Sequence, residues 1–280
     1  MRLTLTGEFA DVAAITEELV TRAFVGPDDL MLIGARCRDL LHHAHGHAGP
    51  LRRTDDVDVG LAVASDSEFR RVTELLEALG DTGARFKVGA FVVDILPFGG
   101  IEEPAGTVTV SARYGALSVA GFGAVWHDAA RVECGASNYI RVPRTSGYAI
   151  LKAHAFAERA QRFEYKDSDD IAVVLDWYAT SDAVADSLYD TELGASILAR
   201  FDFEPDAASA FMLGQHMLAS LPPADQEQLR LAWKGAPDSI LLEACAKRSP
   251  AGRAGSVVRA FRESIESEAP ASTSKRVWPL

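Results

Sequence analysis

Two aspartates, Asp56 and Asp58, stand at the head of an apolar, valine-rich run that continues to Val63. Side chains alternate along a β-strand, so residues two apart share a face. The two carboxylates then point the same way, while Val57 and Val59 point into the sheet. Carboxylates side by side repel each other unless a cation lies between them. Hard oxygen ligands at this spacing suit Mg²⁺ or Mn²⁺, so the pattern predicts a divalent-metal site.

A third acid, Asp94, interrupts a second strand-like run at residues 91–98. A single carboxylate in such a run favours a solvated strand end, and that interpretation stays open for all three acids. A pair and a single acid on two apolar strands together favour a shared site instead. We therefore predict that Asp56, Asp58 and Asp94 are the metal ligands.

The composition is that of an ordinary globular protein. The chain has 280 residues, of which 48% are hydrophobic and 24% charged, which predicts two domains or one large one. No apolar run reaches the about 18 residues of a membrane span, and the N-terminus lacks the apolar core of a signal peptide. Three scattered cysteines fit neither a disulfide framework nor a zinc pattern. These features predict a cytoplasmic protein that does not enter the membrane.

The net charge of −12 restricts the partners that the protein can bind. Nucleic acid is repelled by most of such a surface. An RNA substrate would need a local basic patch, and bulk binding to duplex DNA is not expected.

A glycine separates a strand from a helix near the N-terminus. Residues 30–33 predict a short apolar strand that ends in Gly34, and residues 35–41 predict the start of a helix. Backbone N–H groups at the first turn of a helix have no partner within the helix, and the helix dipole favours negative charge there. The junction is therefore suited to binding a phosphate.

The first half of the chain mixes helical and strand patterns without regular βαβ order. A helix is predicted over 10–23, and a second begins at the capping box of Ser65 and Glu68 and ends at Gly80. Strands are predicted over 85–90, 91–96, 107–111 and 117–120. This mixture predicts an α+β domain with a mixed sheet over residues 1–143.

From residue 144 the pattern becomes helical, which predicts a C-terminal helical domain over residues 144–267. Pro and Gly breaks divide the part after residue 181 into about four short helices. Residues 268–280 are low in complexity and predict a disordered tail.

Basic and acidic residues with more than one interpretation lie at the start of this domain. Lys152, Arg159, Arg162 and Lys166 form a basic stripe, which is either a solvated surface or a contact for phosphates. Asp167 and Asp170 fall in the first turn of a predicted helix, where acids favour the helix dipole. That structural role competes with a catalytic one.

Four histidines follow the junction of strand and helix at Gly34, at positions 42, 43, 45 and 47. No carboxylate or cysteine completes a known metal spacing with them, so a polar loop is the favoured interpretation over a metal cluster.

A resemblance to a known protein family rests on five blocks of residues in a fixed order. They are residues 34–41, Arg53-Thr54 with Asp56 and Asp58, the strand from Val93 to Gly99, Leu151-Lys152, and Lys166-Asp167 with Asp170. Together they resemble the minimal nucleotidyltransferases of the polymerase-β-like superfamily, most closely the AbiEii/AbiGii-type group, which includes toxins of toxin–antitoxin and phage-defence systems. The resemblance covers residues 30–178. The double-aspartate strand alone is a weak signal, and the order of the five blocks is the specific one.

The resemblance implies a small mixed sheet followed by a helical C-terminal domain. It implies that the three aspartates hold Mg²⁺ and are catalytic together with Lys152, which would contact a phosphate. It also implies a nucleotide site built from Gly34, Ala35, Arg36, Arg38, Lys152, Lys166, Asp167 and Asp170. Many relatives have serine after the junction glycine, where this chain has Ala35. Arg36 or Arg38 would then have to supply the missing phosphate contact.

The implied function is the Mg²⁺- or Mn²⁺-dependent transfer of a nucleoside monophosphate from an NTP to an acceptor hydroxyl. Such a transfer needs the reacting groups in line and the developing charge neutralised. The resemblance implies RNA, such as the acceptor end of tRNA, as acceptor, a toxin-like role and an antitoxin partner. Two alternatives stay open: a nucleotidyltransferase that modifies a protein or a small molecule, and a nucleotide-binding module with weak or no catalysis.

Overall fold

The computed structural model describes residues 5, 7–49, 51–52, 56–111, 115–135, 138–249 and 252–268. In these residues the chain is an α+β protein with a mixed seven-stranded sheet, a separate two-stranded sheet and twelve α-helices. It divides into two compact units between Arg144 and Thr145. The predicted α+β class with a mixed sheet and a helical C-terminal region is confirmed. The predicted tail beyond residue 268 lies outside the described residues.

The first unit holds all nine described strands and the first four helices. The strands are β1 (Leu30–Ile33), β2 (Val57–Val63), β3 (Glu77–Ala78), β4 (Arg85–Val88), β5 (Phe91–Gly99), β6 (Thr107–Ser111), β7 (Gly115–Ser118), β8 (Ala130–Cys134) and β9 (Asn138–Val142). The helices are α1 (Ala10–Arg22), α2 (Gly34–Ala44), α3 (Asp66–Thr73) and α4 (Phe122–Asp128).

The large sheet has the strand order β3-β4-β5-β2-β1-β9-β8, and β6 pairs with β7 separately. Strands β2 and β5 are parallel and stay in register from Val57↔Val93 to Val63↔Gly99. Strand β1 pairs antiparallel with β2 on its other side. The central position of β2 therefore places its residues between the ends of β1 and β5.

Alternation along β2 follows the predicted pattern. Val57 and Val59 are buried, whereas Asp58 is half-buried on the opposite face. Strand β1 is buried at all four positions, as expected for a short apolar strand in the middle of a sheet. Burial of the valines fixes the register of β2, because a slip of one residue would exchange them with Asp58.

One helix is shorter than predicted. The Ser65 hydroxyl accepts a hydrogen bond from the Glu68 N–H, as the capping box predicts, but α3 ends at Thr73 instead of continuing to Gly80. Residues Glu77 and Ala78 form the edge strand β3 against β4. Pairing with a neighbouring strand thus replaces the helical hydrogen bonds that the spacing of Leu76 and Leu79 predicts.

Strands β8 and β9 and helix α4 were not predicted from the sequence. The two strands form an antiparallel hairpin at one end of the sheet, and β9 continues the sheet beside β1. Their polar residues alternate with buried Val132, Cys134, Ile140 and Val142 over only five positions each. Such short runs lack the apolar content that marks a central strand.

The second unit is helical throughout its described residues. Its helices are α5 (Thr145–Ala160), α6 (Lys166–Ala179), α7 (Asp182–Asp190), α8 (Glu192–Arg200), α9 (Pro205–Ala219), α10 (Pro223–Trp233), α11 (Asp238–Ala246) and α12 (Ala254–Glu266). Six of them follow residue 181, more than the four predicted. Large aromatic side chains fill the core, with Trp233 packed against Phe156 and Phe261 at centroid distances of 5.9 and 5.5 Å. None of the helices in the described residues is both long and apolar enough to cross a membrane.

Candidate functional site

Two of the three predicted acids lie side by side on neighbouring strands. Asp58 of β2 and Asp94 of β5 are paired across the parallel strands. Asp56 stands just before the first residue of β2. The structure therefore brings Asp94 to Asp56 and Asp58, which precede it in the sequence by 38 and 36 positions.

An arginine that the sequence analysis did not single out joins these acids. Arg85 of β4 lies opposite Asp94 across the β4–β5 pair. Its Nε donates to Oδ1 of Asp94 at 2.8 Å, and its Nη2 donates to Oδ2 of Asp94 at 2.8 Å. The same Nη2 donates to Oδ2 of Asp56 at 2.6 Å. Oδ2 of Asp56 and Oδ2 of Asp94 thus accept from the same nitrogen. The distance between these two oxygens is therefore well below about 8 Å, beyond which the carboxylates could not share a metal ion.

Electrostatics at Arg85 reflect this arrangement. The hydrogen bonds and negative charge of Asp94 raise the pKa of the Arg85 guanidinium above its usual range, with further contributions from Asp56 and Asp58. Burial of the guanidinium acts in the opposite direction. The three acids and Arg85 form one electrostatic unit, which we call the aspartate cluster.

Gly34 brings the junction between β1 and α2 against the same cluster. Its φ of +65° lies in the left-handed region, and a Cβ at this position would stand 1.9 Å from Oδ2 of Asp58. Ile33, the last residue of β1, is the cross-strand partner of Asp58. Only glycine combines that backbone conformation with the close approach of the carboxylate. The start of α2 and Asp58 therefore form one site.

The aspartate cluster fits a cation by the chemistry of its donors, since two carboxylates converge on a single positively charged nitrogen. In the described part of the chain, no group of three His, Cys, Asp or Glu side chains is arranged to hold a metal ion as it stands. The guanidinium of Arg85 lies between the carboxylates of Asp56 and Asp94. Arg53, Thr54 and Asp55, which precede the cluster, lie outside the described residues.

The two arginines expected to compensate for Ala35 make other contacts. Arg36 forms an ion pair with Asp11 at 2.6 Å, donates to the carbonyl of Glu8 and lies over the ring of Phe9. Arg38 is buried and donates to Asp39 at 2.8 Å and to the carbonyl of Arg52 at 2.6 Å. Both side chains hold α2 to neighbouring segments, so either would have to leave these partners to reach a phosphate.

A second charged cluster lies in the second unit. The Nζ of Lys152 on α5 is 3.1 Å from Oδ1 of Asp167 and 2.7 Å from Oδ2 of Asp170, both on α6. Arg159 donates to the other oxygen of Asp167. The two aspartates are 1% and 3% exposed, so this is a buried ion-pair network. Burial lowers the pKa of Lys152, but the charges of Asp170 and Asp167 outweigh it and hold that pKa above the ordinary value.

The predicted basic stripe is neutralised by acids of the same unit. Arg162 forms an ion pair with Glu158 at 3.1 Å and approaches Glu164 at 3.9 Å. Arg159 forms an ion pair with Asp167. Lys166 is exposed at the start of α6. The stripe therefore provides less positive charge for an RNA acceptor than its sequence suggests.

The histidines at positions 42, 43, 45 and 47 do not form a metal cluster among the described residues. His42 and His43 belong to α2, which extends to Ala44, and the rings of His42 and His47 stack at 4.9 Å. Burial and the neighbouring histidines lower the pKa of His45 to about 4.

Arg85 is the member of the site that sequence reasoning missed. It begins a strand whose only distinction is the alternation of Phe86 and Val88 with polar residues. A basic residue across from Asp94 could be found only by pairing β4 with β5 in the correct register. The short turn between these strands, at residues 89–90, is the signal that would permit that pairing.

Comparison with protein-family models finds none that matches this chain, and comparison with curated proteins finds none that is significantly similar in sequence. The fold and the site thus define a two-unit α+β protein with an aspartate cluster at the start of its central strand.

Proposed function

We propose that the protein is a Mg²⁺- or Mn²⁺-dependent nucleotidyltransferase of the polymerase-β-like fold, which moves a nucleoside monophosphate from an NTP to an acceptor hydroxyl. One observation carries the proposal: Asp58 is paired with Asp94 on the adjacent parallel strand and also lies against Gly34 at the start of α2. A carboxylate cluster and a helix N-terminus thereby meet at one point. This combination serves a metal-bound polyphosphate, because the acids favour the cation and the helix N–H groups favour the phosphates.

Asp56, Asp58 and Asp94 are the residues that would hold the metal. When bound, the ion would neutralise charge on the phosphate oxygens during an in-line displacement. The backbone of Gly34 and Ala35 would orient the triphosphate at the start of α2. The residue before α2 is Ile33, whose side chain cannot accept a hydrogen bond from the first N–H groups of that helix.

Residues of the second unit enter the proposal only through the resemblance. The resemblance assigns Lys152, Lys166, Asp167 and Asp170 to the nucleotide site. Lys152 lies between Asp167 and Asp170, which supports a role in holding α5 to α6. We propose that Lys152 positions α5 and α6 relative to each other within the second unit.

The charge of the protein restricts which acceptors it can bind. RNA is the acceptor that the resemblance implies, in a toxin-like role with an antitoxin as partner, and a protein or a small molecule is the alternative. The net charge of −12 and the pairing of Arg159 and Arg162 with acids favour an acceptor that needs few phosphate contacts, such as a short RNA end.

The test is transfer of label from NTPs to the components of a cell extract. Each NTP, labelled at the α-phosphate, is incubated with the protein, Mg²⁺ and either total RNA or lysate. We expect a labelled product from α-labelled NTP and none from γ-labelled NTP, because pyrophosphate leaves. Sensitivity of the product to ribonuclease or to protease identifies the acceptor.

Asp58→Asn should abolish the transfer, while Asp66→Asn should leave it unchanged, because Asp66 is an exposed acid that pairs with Arg70 on α3. Equal labelling by α- and γ-labelled NTP, or unaltered transfer in Asp58→Asn, would overturn the proposal.

A nucleotide-binding module with weak or no catalysis is the second candidate. It is favoured by the ion pairs of Arg85 with Asp56 and Asp94 and by Ala35 at the junction. This candidate predicts that the protein binds an NTP in calorimetry but transfers no label.

A further inference from the structure

We propose that Arg85 is a built-in counter-cation of the aspartate cluster, and that a divalent ion binds there only by displacing its guanidinium. The inference deepens the proposed function, since it rests on uptake of a divalent cation by Asp56, Asp58 and Asp94. It assigns to Arg85 the role of a positioning residue that sets how tightly the metal binds.

The contacts of Arg85 account for this competition. Both oxygens of Asp94 accept from the guanidinium, one from Nε and one from Nη2. The nitrogen Nη2 also donates to Oδ2 of Asp56. A divalent ion bound between Asp56 and Asp94 would need at least one of the Asp94 oxygens that the guanidinium already contacts. The guanidinium and the ion therefore cannot both occupy the space between the two carboxylates.

The exposure of Arg85 explains why displacement is feasible. Its side chain is 41% exposed, and those of Asp56 and Asp94 are 30% and 22% exposed. Water reaches ion pairs at such partly exposed sites and screens them, which lowers the cost of separating the charges. The guanidinium can exchange these partners for water, whereas a deeply buried arginine would be costly to release.

A released Arg85 would also favour the substrate. Guanidinium groups bind phosphates with two parallel hydrogen bonds. A triphosphate next to the cluster would offer Arg85 a new partner when the metal takes its carboxylates. The metal and the nucleotide are then expected to bind cooperatively, each relieving the competition that the other meets.

The experiment measures Mn²⁺ binding by calorimetry on the full-length protein, so that it does not depend on activity. Wild type is compared with Arg85→Gln and with Arg70→Gln as the matched control. Arg70 is an exposed arginine on α3 that pairs with Asp66 at 2.7 Å, so the control makes the same change in net charge away from the cluster. Removing the competitor should tighten Mn²⁺ binding by about tenfold in Arg85→Gln, and Arg70→Gln should match wild type.

A second variant and a second readout guard against misfolding. Arg85→Lys keeps the charge but cannot donate to both carboxylates in the same way, so its Mn²⁺ affinity should fall between those of wild type and Arg85→Gln. In thermal melts without metal, Arg85→Gln should be less stable than wild type, and Mn²⁺ should raise its Tm more than that of wild type.

The outcomes separate the two proposals. Equal or weaker Mn²⁺ binding in Arg85→Gln, with normal binding by wild type, would overturn the role of Arg85 and leave the metal site standing. No Mn²⁺ binding by wild type or by any of the variants would overturn the metal site itself, and with it both proposals.

Discussion

At the scale of single residues, Asp58 approaches Gly34 so closely that position 34 has no room for a side chain. The left-handed φ of Gly34 and the absence of a side chain let the Asp58 carboxylate approach the start of α2. Any larger residue at position 34 would have to move that carboxylate. The conformation of one glycine thus decides where one of the proposed metal ligands lies.

Gly34→Ala should therefore damage the site more than its effect on the backbone explains. A left-handed alanine costs about 1–2 kcal/mol, and Gly80→Ala is the matched control, because Gly80 has φ +72° and nothing within 4 Å of its would-be Cβ. We expect urea denaturation to show a larger loss of unfolding free energy in Gly34→Ala than in Gly80→Ala, and the transfer assay to show loss of activity only in Gly34→Ala. Equal losses of unfolding free energy would mean that Asp58 adapts without strain.

Lys152 provides a second test at the residue scale. Lys152→Ala would leave Asp167 and Asp170 buried without their lysine partner, which should lower the unfolding free energy by about 3–5 kcal/mol. Lys247→Ala is the control, because the pair of Lys247 with Asp169 at 3.0 Å is 66% and 52% exposed. Its loss should stay within about 1 kcal/mol. Small and equal effects in chemical denaturation would remove the structural role that we assign to Lys152.

At the scale of elements, the unpredicted hairpin of β8 and β9 depends on one acid. Arg131 and Arg141 lie directly opposite each other across the two strands, where like charges repel. Asp28 lies 2.7 and 2.8 Å from their respective Nη2 atoms and accepts from the hydroxyl of Tyr139 at 2.5 Å. Asp28 belongs to the short 3-10 turn that leads into β1, so this network joins the hairpin to the middle of the sheet.

Asp28→Asn should loosen the hairpin and leave the centre of the sheet intact. Loss of the negative charge leaves Arg131 and Arg141 to repel each other, which should cost about 1 kcal/mol because these pairs are partly exposed. Hydrogen exchange of the β8 and β9 amides is the measurement, with Asp128→Asn as control for an acid of similar exposure that lies 3.7 Å from Arg144. Faster exchange throughout β2 and β5 as well would contradict a local role for Asp28.

At the scale of the whole molecule, stability should depend on pH through buried histidines. Burial lowers the pKa of His154 on α5 from 6.5 to about 4, and Nε2 of His154 makes no hydrogen bond within the described residues. Between these pH values the unfolded chain binds a proton that the folded protein does not. The unfolding free energy should therefore fall as the pH is lowered from 6.5 towards 4.

The share of His154 in this fall can reach about 3 kcal/mol, at about 1.4 kcal/mol for each unit of pKa difference. Chemical denaturation at a series of pH values should show a shallower dependence in His154→Leu than in wild type. His127→Leu, at an exposed position in the first unit, should retain the wild-type dependence. An unchanged slope in His154→Leu would show that the fold does not lower the pKa of this histidine.

Net charge makes a further prediction for the molecule as a whole. With a charge of −12 and with Arg159 and Arg162 paired to acids, the protein should not bind duplex DNA of random sequence at physiological salt. Fluorescence anisotropy of a labelled duplex would measure this. Binding that weakens steeply with added salt would reveal a basic surface that the described ion pairs do not account for.

Local spacing accounts for the parts of the site that the sequence by itself determined. The alternation of Val57, Asp58 and Val59 fixes which side chains are buried, and the apolar run that ends in Gly34 fixes where β1 gives way to α2. The helical second half follows from periodicity in the same way. These features depend on residues that are neighbours along the chain, so they can be predicted without knowing how strands pair.

Only the tertiary structure decided which residues meet across the sheet. The pairing of Asp58 with Asp94, the contact of Arg85 with Asp56 at 29 residues' separation, and the end of α3 at Thr73 all depend on strand order and register. The hairpin of β8 and β9 belongs to the same group, because its short strands are stabilised by the neighbouring β1 and by Asp28. Register is set by the summed burial of many side chains, so no local pattern specifies it. The position of the Arg85 guanidinium between Asp56 and Asp94 depends on that register.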